Sequence, residues 1–317
     1  MDLVAIDVGG THARFALASI DGDGAIGLAD PITLNTADYI GLAGAWRDFA
    51  VRAGRTLPDA AAIAAAGPLI GDTIKLTNAS WHIDLGELRS ELGLERITAL
   101  NDFGAVAHAV ARAPQDQLLH IAGPDGPLPE RGTVSVIGPG TGLGVAHFHR
   151  FAGGYHVQAT EGGHIGFAPQ DEIDDRIVAQ LRAQDGRIAT ERVNAGPGIV
   201  PIYRALGGKE ALDDRTIWHH GIAGDDDLAR LAVERFCASL GATVGDYVLA
   251  HGASAVVLAG GIGLRLRDIL PRTAFAEHFC AKPRYEAMMA AIAVKLIVHP
   301  QPGLYGAAAA FQMEHCQ

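Results

Sequence analysis

The fold is decided first by residues 3–18, which read LVAIDVGGTHARFALA. Two apolar segments flank a turn with adjacent glycines, which is the pattern of a β-hairpin. Glycines let backbone N–H groups approach a phosphate closely, and the hydroxyl of Thr11 adds a donor beside Gly9 and Gly10. Asp7 ends the first strand and can hold Mg²⁺ through water. By itself this stretch is equally consistent with an ordinary tight turn.

A second hairpin repeats the arrangement. Residues 134–146 read VSVIGPGTGLGVA, so Gly138, Gly140, Thr141 and Gly142 form another Gly-Thr turn after an apolar strand. Two such turns facing each other would grip a triphosphate from both sides. Their repetition also indicates an internally duplicated architecture.

A third apolar strand, within residues 255–263 (AVVLAGGIG), runs into Gly260 and Gly261. This third glycine turn favours nucleotide binding over three unrelated tight turns. The Walker A pattern is absent, and no GxGxxG motif opens a helix directly after a strand, so the chain is neither a P-loop nor a Rossmann protein. Ala/Leu content and spacing predict helices at 38–54, 103–113, 172–184, 226–251 and 303–313. Strands interleaved with helices indicate an α/β protein.

Composition excludes several classes of protein. The 317 residues carry a net charge of −11, from 36 acidic and 25 basic side chains, with no dense basic patch, so we expect no nucleic-acid partner. Mean hydropathy is +0.17, but no uncharged apolar stretch approaches the roughly 20 residues needed to cross a bilayer. We expect no secretion signal, and three widely spaced cysteines indicate reduced thiols. These features predict a cytoplasmic protein without a membrane partner.

Five motifs follow one another along the chain: DVGGT at 7–11, NDF at 101–103, GPGTGLG at 138–144, EGGH at 161–164 and AGG at 259–261. In this order they resemble bacterial glucokinases, which belong to the hexokinase/actin-like ATPase fold family. Further matches at 76–78, 81, 191–192, 196–198 and 299–303 extend the resemblance over nearly the whole chain. His12 departs from the pattern, since many of these enzymes have Asn there.

The resemblance implies a two-lobed α/β fold of the actin-like ATPase type, a duplicated ribonuclease H-like fold with an active-site cleft between the lobes. The small lobe is expected to contain residues 1–108 and 301–317, and the large lobe residues 109–300. It implies transfer of the γ-phosphoryl group of ATP to the 6-hydroxyl of glucose, with Mg²⁺, by a homodimer. The related ROK group carries a Cys-rich zinc motif that nothing here matches, so we expect no structural zinc.

The pair Asn101-Asp102 carries the predicted catalytic chemistry. It follows an apolar stretch and precedes a predicted helix, so its carboxylate is fixed rather than mobile. Phosphoryl transfer needs a base near the attacking hydroxyl, and Asp102 is the predicted base, with Asn101 bound to the sugar. The alternative role of such a pair is a helix N-cap, and both roles are compatible.

The sugar is expected to meet Glu161, His164 and Glu191, with Asn78 as a further ligand. Sugar hydroxyls are donors, so carboxylates and a neutral imidazole suit them. For Glu161 and His164, a metal site or a polar surface turn are the alternatives, although two residues do not make a metal site.

Two alternative functions remain open. A kinase for fructose, mannose or an N-acetylhexosamine would carry the same motifs. The second alternative is a non-catalytic sugar-sensing protein with the same fold, because fold does not imply function. A degenerate kinase would be expected to lack Asp7 or Asp102, and both are present.

Overall fold

The computed structural model describes residues 1–67, 69–76, 81–209 and 211–316. These form two compact units, one of Met1–Ala113 with His299–Gln317 and the other of Pro114–Val298. The division predicted after residue 108 falls inside a continuous helix, Asp102–Arg112, which belongs wholly to the first unit.

The strands are numbered in chain order: β1 (Asp2–Val8), β2 (His12–Ile20), β3 (Ile26–Leu28), β4 (Ile32–Asn35), β5 (Ala60–Ala65), β6 (Leu69–Ile70), β7 (Thr73–Lys75), β8 (His82–Asp84), β9 (Arg96–Asn101), β10 (Leu118–Ala122), β11 (Gly132–Pro139), β12 (Leu143–Phe151), β13 (Gly154–Thr160), β14 (Ala253–Leu258) and β15 (Ala293–Ile297).

The helices are numbered likewise: α1 (Leu42–Ala53), α2 (Leu85–Leu92), α3 (Asp102–Arg112), α4 (Glu172–Asp185), α5 (Glu191–Asn194), α6 (Ile199–Ala205), α7 (Asp214–Ala223), α8 (Asp227–His251), α9 (Gly260–Arg265), α10 (Phe275–Cys280), α11 (Glu286–Ala290) and α12 (Pro302–His315). The five predicted helices are confirmed. The largest difference is at α1, because Thr36–Asp38 form a separate 3₁₀ turn and Gly41 precedes the helix.

The main sheet of the first unit has the order β3-β2-β1-β5-β9, with β4 paired to β2. The predicted hairpin is confirmed, since β1 and β2 are antiparallel. β1 pairs with β5 and β5 with β9 in parallel, so these three strands end at the same edge. A smaller sheet contains β6, β7 and β8.

Small side chains let helices pack closely on this sheet. β5 reads AAAIAA and is buried throughout. A Cβ placed on Gly306 of α12 would lie 1.7 Å from the carbonyl oxygen of Ala105 in α3, so the two helices meet backbone to backbone. The alanine content that raises the mean hydropathy therefore serves close packing inside a globular unit.

The second unit repeats the topology of the first. Its sheet has the order β10-β15-β14-β11-β12-β13, in which β11 and β12 form the second predicted hairpin and β11, β14 and β15 are parallel. The path β13-β12-β11-β14-β15 corresponds strand for strand to β3-β2-β1-β5-β9. This correspondence confirms the duplicated architecture.

The long helix α8, of 25 residues, forms much of the core of the second unit. Its buried residues include Phe236, Leu240, Val244 and Val248, which pack with residues of the sheet and of α6, α7 and α10. None of the helices that the structure describes combines the length and the apolar character needed to cross a membrane.

Candidate active site

The turn between β1 and β2 contains the first set of predicted phosphate ligands. The N–H of Gly9 donates to the carbonyl of His12 at 2.9 Å, which closes the turn around Gly10 and Thr11. Thr36, the residue after β4, holds the turn, since its Oγ1 donates to the carbonyl of Gly10 at 2.8 Å and its N–H donates to that of Thr11 at 3.0 Å. The backbone carbonyl of His12 closes the turn, and the residue is exposed.

Asp7 lies on β1 directly opposite Arg14 on β2. Nη1 of Arg14 donates to Oδ2 of Asp7 at 3.2 Å. A Cβ on Gly303 would lie 2.8 Å from the same oxygen, so α12 can begin beside the carboxylate only because residue 303 is glycine. Burial raises the pKa of Asp7, and the ion pair with Arg14 opposes that shift.

The residues around Asp7 fit a magnesium ion bound mainly by its substrate. Mg²⁺ keeps several waters and is usually held by one or two carboxylates and substrate phosphates. Among the residues described, no three His, Cys, Asp or Glu side chains cluster to hold a metal on their own. A single carboxylate beside a phosphate turn is what such an ion needs from the protein.

Asn101 and Asp102 lie where β9 becomes α3. Oδ1 of Asn101 accepts from the N–H groups of Phe103 at 2.8 Å and Gly104 at 3.2 Å, so Asn101 caps the helix as the alternative interpretation expected. Its oxygen is engaged, and its NH₂ group is the part suited to a sugar hydroxyl. Asp102 Oδ1 accepts from the N–H of Phe103 at 2.8 Å.

The predicted base and the first phosphate turn share one edge of one sheet. Val8 pairs with Ala65, and Ala65 pairs with Asn101, at the ends of parallel β1, β5 and β9. Two strand spacings, about 10 Å, separate the ends of β1 and β9. A γ-phosphoryl group and the sugar hydroxyl that attacks it can occupy a gap of this size.

The second phosphate turn is built from three glycine segments. Within it, the N–H of Gly140 donates to the carbonyl of Gly142 at 2.8 Å, and the N–H of Gly196 donates to the carbonyl of Gly140 at 2.8 Å. Gly260 has φ +79°, and a Cβ there would lie 2.6 Å from the carbonyl oxygen of Pro139. The residue at 260 must therefore be glycine on both conformational and steric grounds. Gly138 is the last residue but one of β11, Thr141 is exposed at the tip of the turn, and Gly261 is the second residue of α9.

The predicted sugar ligands of the second unit lie beside this turn. Nδ1 of His164 is 3.5 Å from Oε1 of Glu191. The other oxygen of Glu191 accepts from the N–H of Leu143 at 3.4 Å, and a Cβ on Gly142 would lie 2.9 Å from it. Glu161 begins the turn that ends at His164, and its side chain is exposed. Glu191 thus lies beside both a predicted sugar ligand and the predicted phosphate turn.

The Glu161–His164 turn is packed against β12. A Cβ on Gly163 would lie 2.2 Å from the carbonyl oxygen of Leu143, and one on Gly162 would lie 2.8 Å from Val145. Both glycines are therefore required by close approach. Glu191 lies beside His164, but among the residues described no three His, Cys, Asp or Glu side chains are placed to hold a metal ion. Asn78 lies outside the described residues.

A cavity of about 310 Å³ opens beside Thr141 and Glu191. Its lining contains four polar side chains that were not predicted as site residues, Gln180, Gln184, Arg192 and Arg204. The N–Hε of Arg192 donates to Asp185 at 2.8 Å, which fixes that guanidinium at the rim. Arg192 adjoins Glu191 in sequence, and that adjacency is the local signal that could have suggested it.

The comparisons with known proteins agree over the whole chain. The family model for glucokinase matches residues 3–314. A glucokinase of Zymomonas mobilis is 48% identical over an alignment of 322 residues, which covers 100% of this chain and 99% of that protein. The crystal structure of a glucokinase from an Antarctic psychrotroph matches with a TM-score of 0.87 and 30% identity, covering 98% of this chain and 99% of that one.

A ROK family glucokinase from Streptomyces griseus, solved with glucose and AMPPNP, has a TM-score of 0.63 and covers 97% of this chain and 98% of that one. At 20% identity this likeness shows the fold alone. Together these matches confirm the predicted α/β fold of the actin-like ATPase type. The chain belongs to the glucokinase family and is a hexose kinase.

Proposed function

We propose that the chain transfers the γ-phosphoryl group of ATP to the 6-hydroxyl of glucose, giving glucose 6-phosphate and ADP. The observation that carries the proposal is the shared sheet edge, where Asp102 is fixed at the start of α3 two strands from the Asp7–Thr11 turn.

In the transfer step, the 6-oxygen of glucose forms a bond to the γ-phosphorus as the bond from that phosphorus to the β,γ-bridging oxygen breaks. Asp102 accepts the proton of the hydroxyl, and ADP leaves with the bridging oxygen. Backbone N–H groups would hold the nucleotide, from the turns at Gly9–Thr11 and Gly138–Gly142 and from Gly260 and Gly261. Mg²⁺, when bound, neutralises phosphate charge, and Asp7 would hold it through water.

Sugar selection would depend on hydrogen-bonding side chains that are held in fixed orientations. Glu161, His164 and Glu191 would accept from ring hydroxyls, and the NH₂ group of Asn101 would donate to one. A site of this kind rejects a sugar that turns a hydroxyl away, because the unpaired polar group left behind costs about 1–3 kcal/mol.

We expect glucose to be preferred over galactose by at least about tenfold in kcat/KM, which corresponds to the low end of that cost. The measurement is ADP release from the purified protein with a panel of glucose, galactose, fructose, mannose and an N-acetylhexosamine. A higher kcat/KM for any other sugar of the panel would replace glucose as the proposed substrate. ADP release that no sugar stimulates would favour the sugar-sensing alternative.

Activity should require a divalent cation, because the two Gly-Thr turns supply N–H donors but almost no positive charge. Excess EDTA should abolish turnover, and added Mg²⁺ should restore it. Asp7→Ala should lower kcat/KM about 10- to 100-fold, as loss of an outer-shell metal partner does. Asp2→Ala on the same strand is the control, since its carboxylate is 59% exposed. Full activity in EDTA, or equal activity of the two variants, would contradict the role of Asp7.

We further propose that the enzyme works in the cytoplasm as a homodimer. ATP dependence and three unpaired cysteines, Cys237, Cys280 and Cys316, support that location. The dimer rests on the family resemblance, and light scattering on the purified protein tests it.

A further inference from the structure

One hydroxyl group lies behind the predicted sugar ligands of the second unit. Tyr247 on α8 is 3% exposed, and its hydroxyl donates to the carbonyl of Gly162 at 2.6 Å. Gly162 is the second residue of the turn that carries Glu161 and His164. The buried side chain of Tyr247 on α8 is therefore hydrogen-bonded directly to the backbone of the Glu161–His164 turn.

Other hydrogen bonds also hold this turn. The carbonyl of Gly162 accepts from the N–H of Ile165 at 3.0 Å, and the carbonyl of Glu161 accepts from the N–H of His164 at 3.0 Å, so these two bonds fix the shape of the turn. The N–H of Gly162 donates to Oγ1 of Thr160 at 3.2 Å, and the exposed Arg187 donates to the carbonyl of His164 at 3.1 Å. The hydroxyl of Tyr247 adds a buried anchor from the core helix.

The hydroxyl also lies near the segment that carries Glu191. The side chain of Thr190, which precedes Glu191, is close enough to the Tyr247 hydroxyl to oppose the rise in its pKa. Thr190 in turn holds Ile165, whose carbonyl accepts its N–H at 2.8 Å and its Oγ1 at 3.0 Å. Tyr247 thus lies at the junction of the two segments that present Glu161, His164 and Glu191.

The position of Tyr247 is itself well defined. Its ring packs against that of His251, with centroids 5.9 Å apart. One turn earlier on α8, Oγ1 of Thr243 accepts from the side-chain amide of Asn194 at 2.9 Å, which fixes α5 to the same helix face. Burial raises the pKa of Tyr247 to about 12, so the hydroxyl remains a donor at neutral pH.

We propose that Tyr247 is a positioning residue for the sugar site, which aligns Glu161 and His164 with Glu191 through one hydroxyl group. This inference rests on the proposed function of those three residues. Tyr247 does not touch the reacting atoms, and its effect is on sugar affinity rather than on the transfer step.

The test compares Tyr247→Phe, which removes only the hydroxyl, with Val248→Ala. Val248 is 1% exposed, adjoins Tyr247 on α8 and packs in the apolar core, so its truncation destabilises the same helix without removing a polar contact to the turn. Glucose binding is measured by calorimetry without nucleotide, KM for ATP by assay, and amide hydrogen exchange of residues 160–166 by mass spectrometry.

Tyr247→Phe should weaken glucose binding about three- to tenfold, the equivalent of one intramolecular hydrogen bond, and speed exchange of residues 160–166 in the unliganded protein. KM for ATP should stay within about twofold, and Val248→Ala should lower the melting temperature with neither change. Unchanged glucose affinity and exchange in Tyr247→Phe, or equal changes in both variants, would overturn the inference. A third result would separate the two proposals. If only Tyr247→Phe speeds exchange and the wild-type protein binds no glucose, Tyr247 anchors the turn but the turn is not part of a sugar site.

Discussion

Asp102→Asn should lower kcat by about 10²- to 10⁴-fold and leave glucose affinity nearly unchanged, because a general base acts mainly in the transition state. The substitution keeps the size of the side chain and an oxygen that can accept the N–H of Phe103. It removes the basic carboxylate that accepts the hydroxyl proton. The loss should therefore appear in kcat and not in the binding of glucose measured by calorimetry.

A matched control exists in the same unit. Asp84 is the N-cap of α2 and accepts the N–H of Glu87 at 2.9 Å, so it is also an aspartate at a helix start, although Asp102 is the first residue of α3 and follows its N-cap, Asn101. Asp84→Asn should retain wild-type turnover, because Asn is as good an N-cap as Asp. If Asp102→Asn keeps more than about a tenth of wild-type kcat, Asp102 is not the base.

Local patterns predicted much of this fold because the information lies within a few residues. The hairpin at 3–18 could be recognised from two apolar strands and a Gly turn, and its repeat at 134–146 disclosed the duplication. The ion pair between Asp7 and Arg14 could also have been found, since these residues are symmetric about the turn and pair directly in the register.

Other features depend on contacts between distant residues, which no local pattern encodes. Gly306 meets Ala105 across 201 positions, and Tyr247 reaches Gly162 across 85. The exposed predicted ligands could be assigned from motifs because sugar chemistry demands those side-chain types. The buried residue that supports them, Tyr247, could not be assigned in this way, because a tyrosine on an apolar helix face has the sequence signature of ordinary core packing.

The two carboxylates assigned to the sugar should differ in their effect on ATP. Both Glu161→Ala and Glu191→Ala should weaken glucose binding by about 5- to 150-fold, the range for a lost acceptor of a buried hydroxyl. Sequence alone predicts that both leave KM for ATP little changed. In the structure Glu191 accepts from the N–H of Leu143, the residue that follows the predicted phosphate turn, at 3.4 Å.

Glu191→Ala should therefore also raise KM for ATP, by about two- to tenfold, because one hydrogen bond to the phosphate turn is lost and the space beside Gly142 is opened. Glu161→Ala should leave KM for ATP at the wild-type value, as should the exposed-residue control Glu277→Ala. The measurements are glucose binding by calorimetry without nucleotide and KM for ATP at saturating glucose. Wild-type glucose affinity in both variants would show that these carboxylates do not bind the sugar. Equal KM for ATP in Glu161→Ala and Glu191→Ala would show that Glu191 does not couple the sugar site to the phosphate turn.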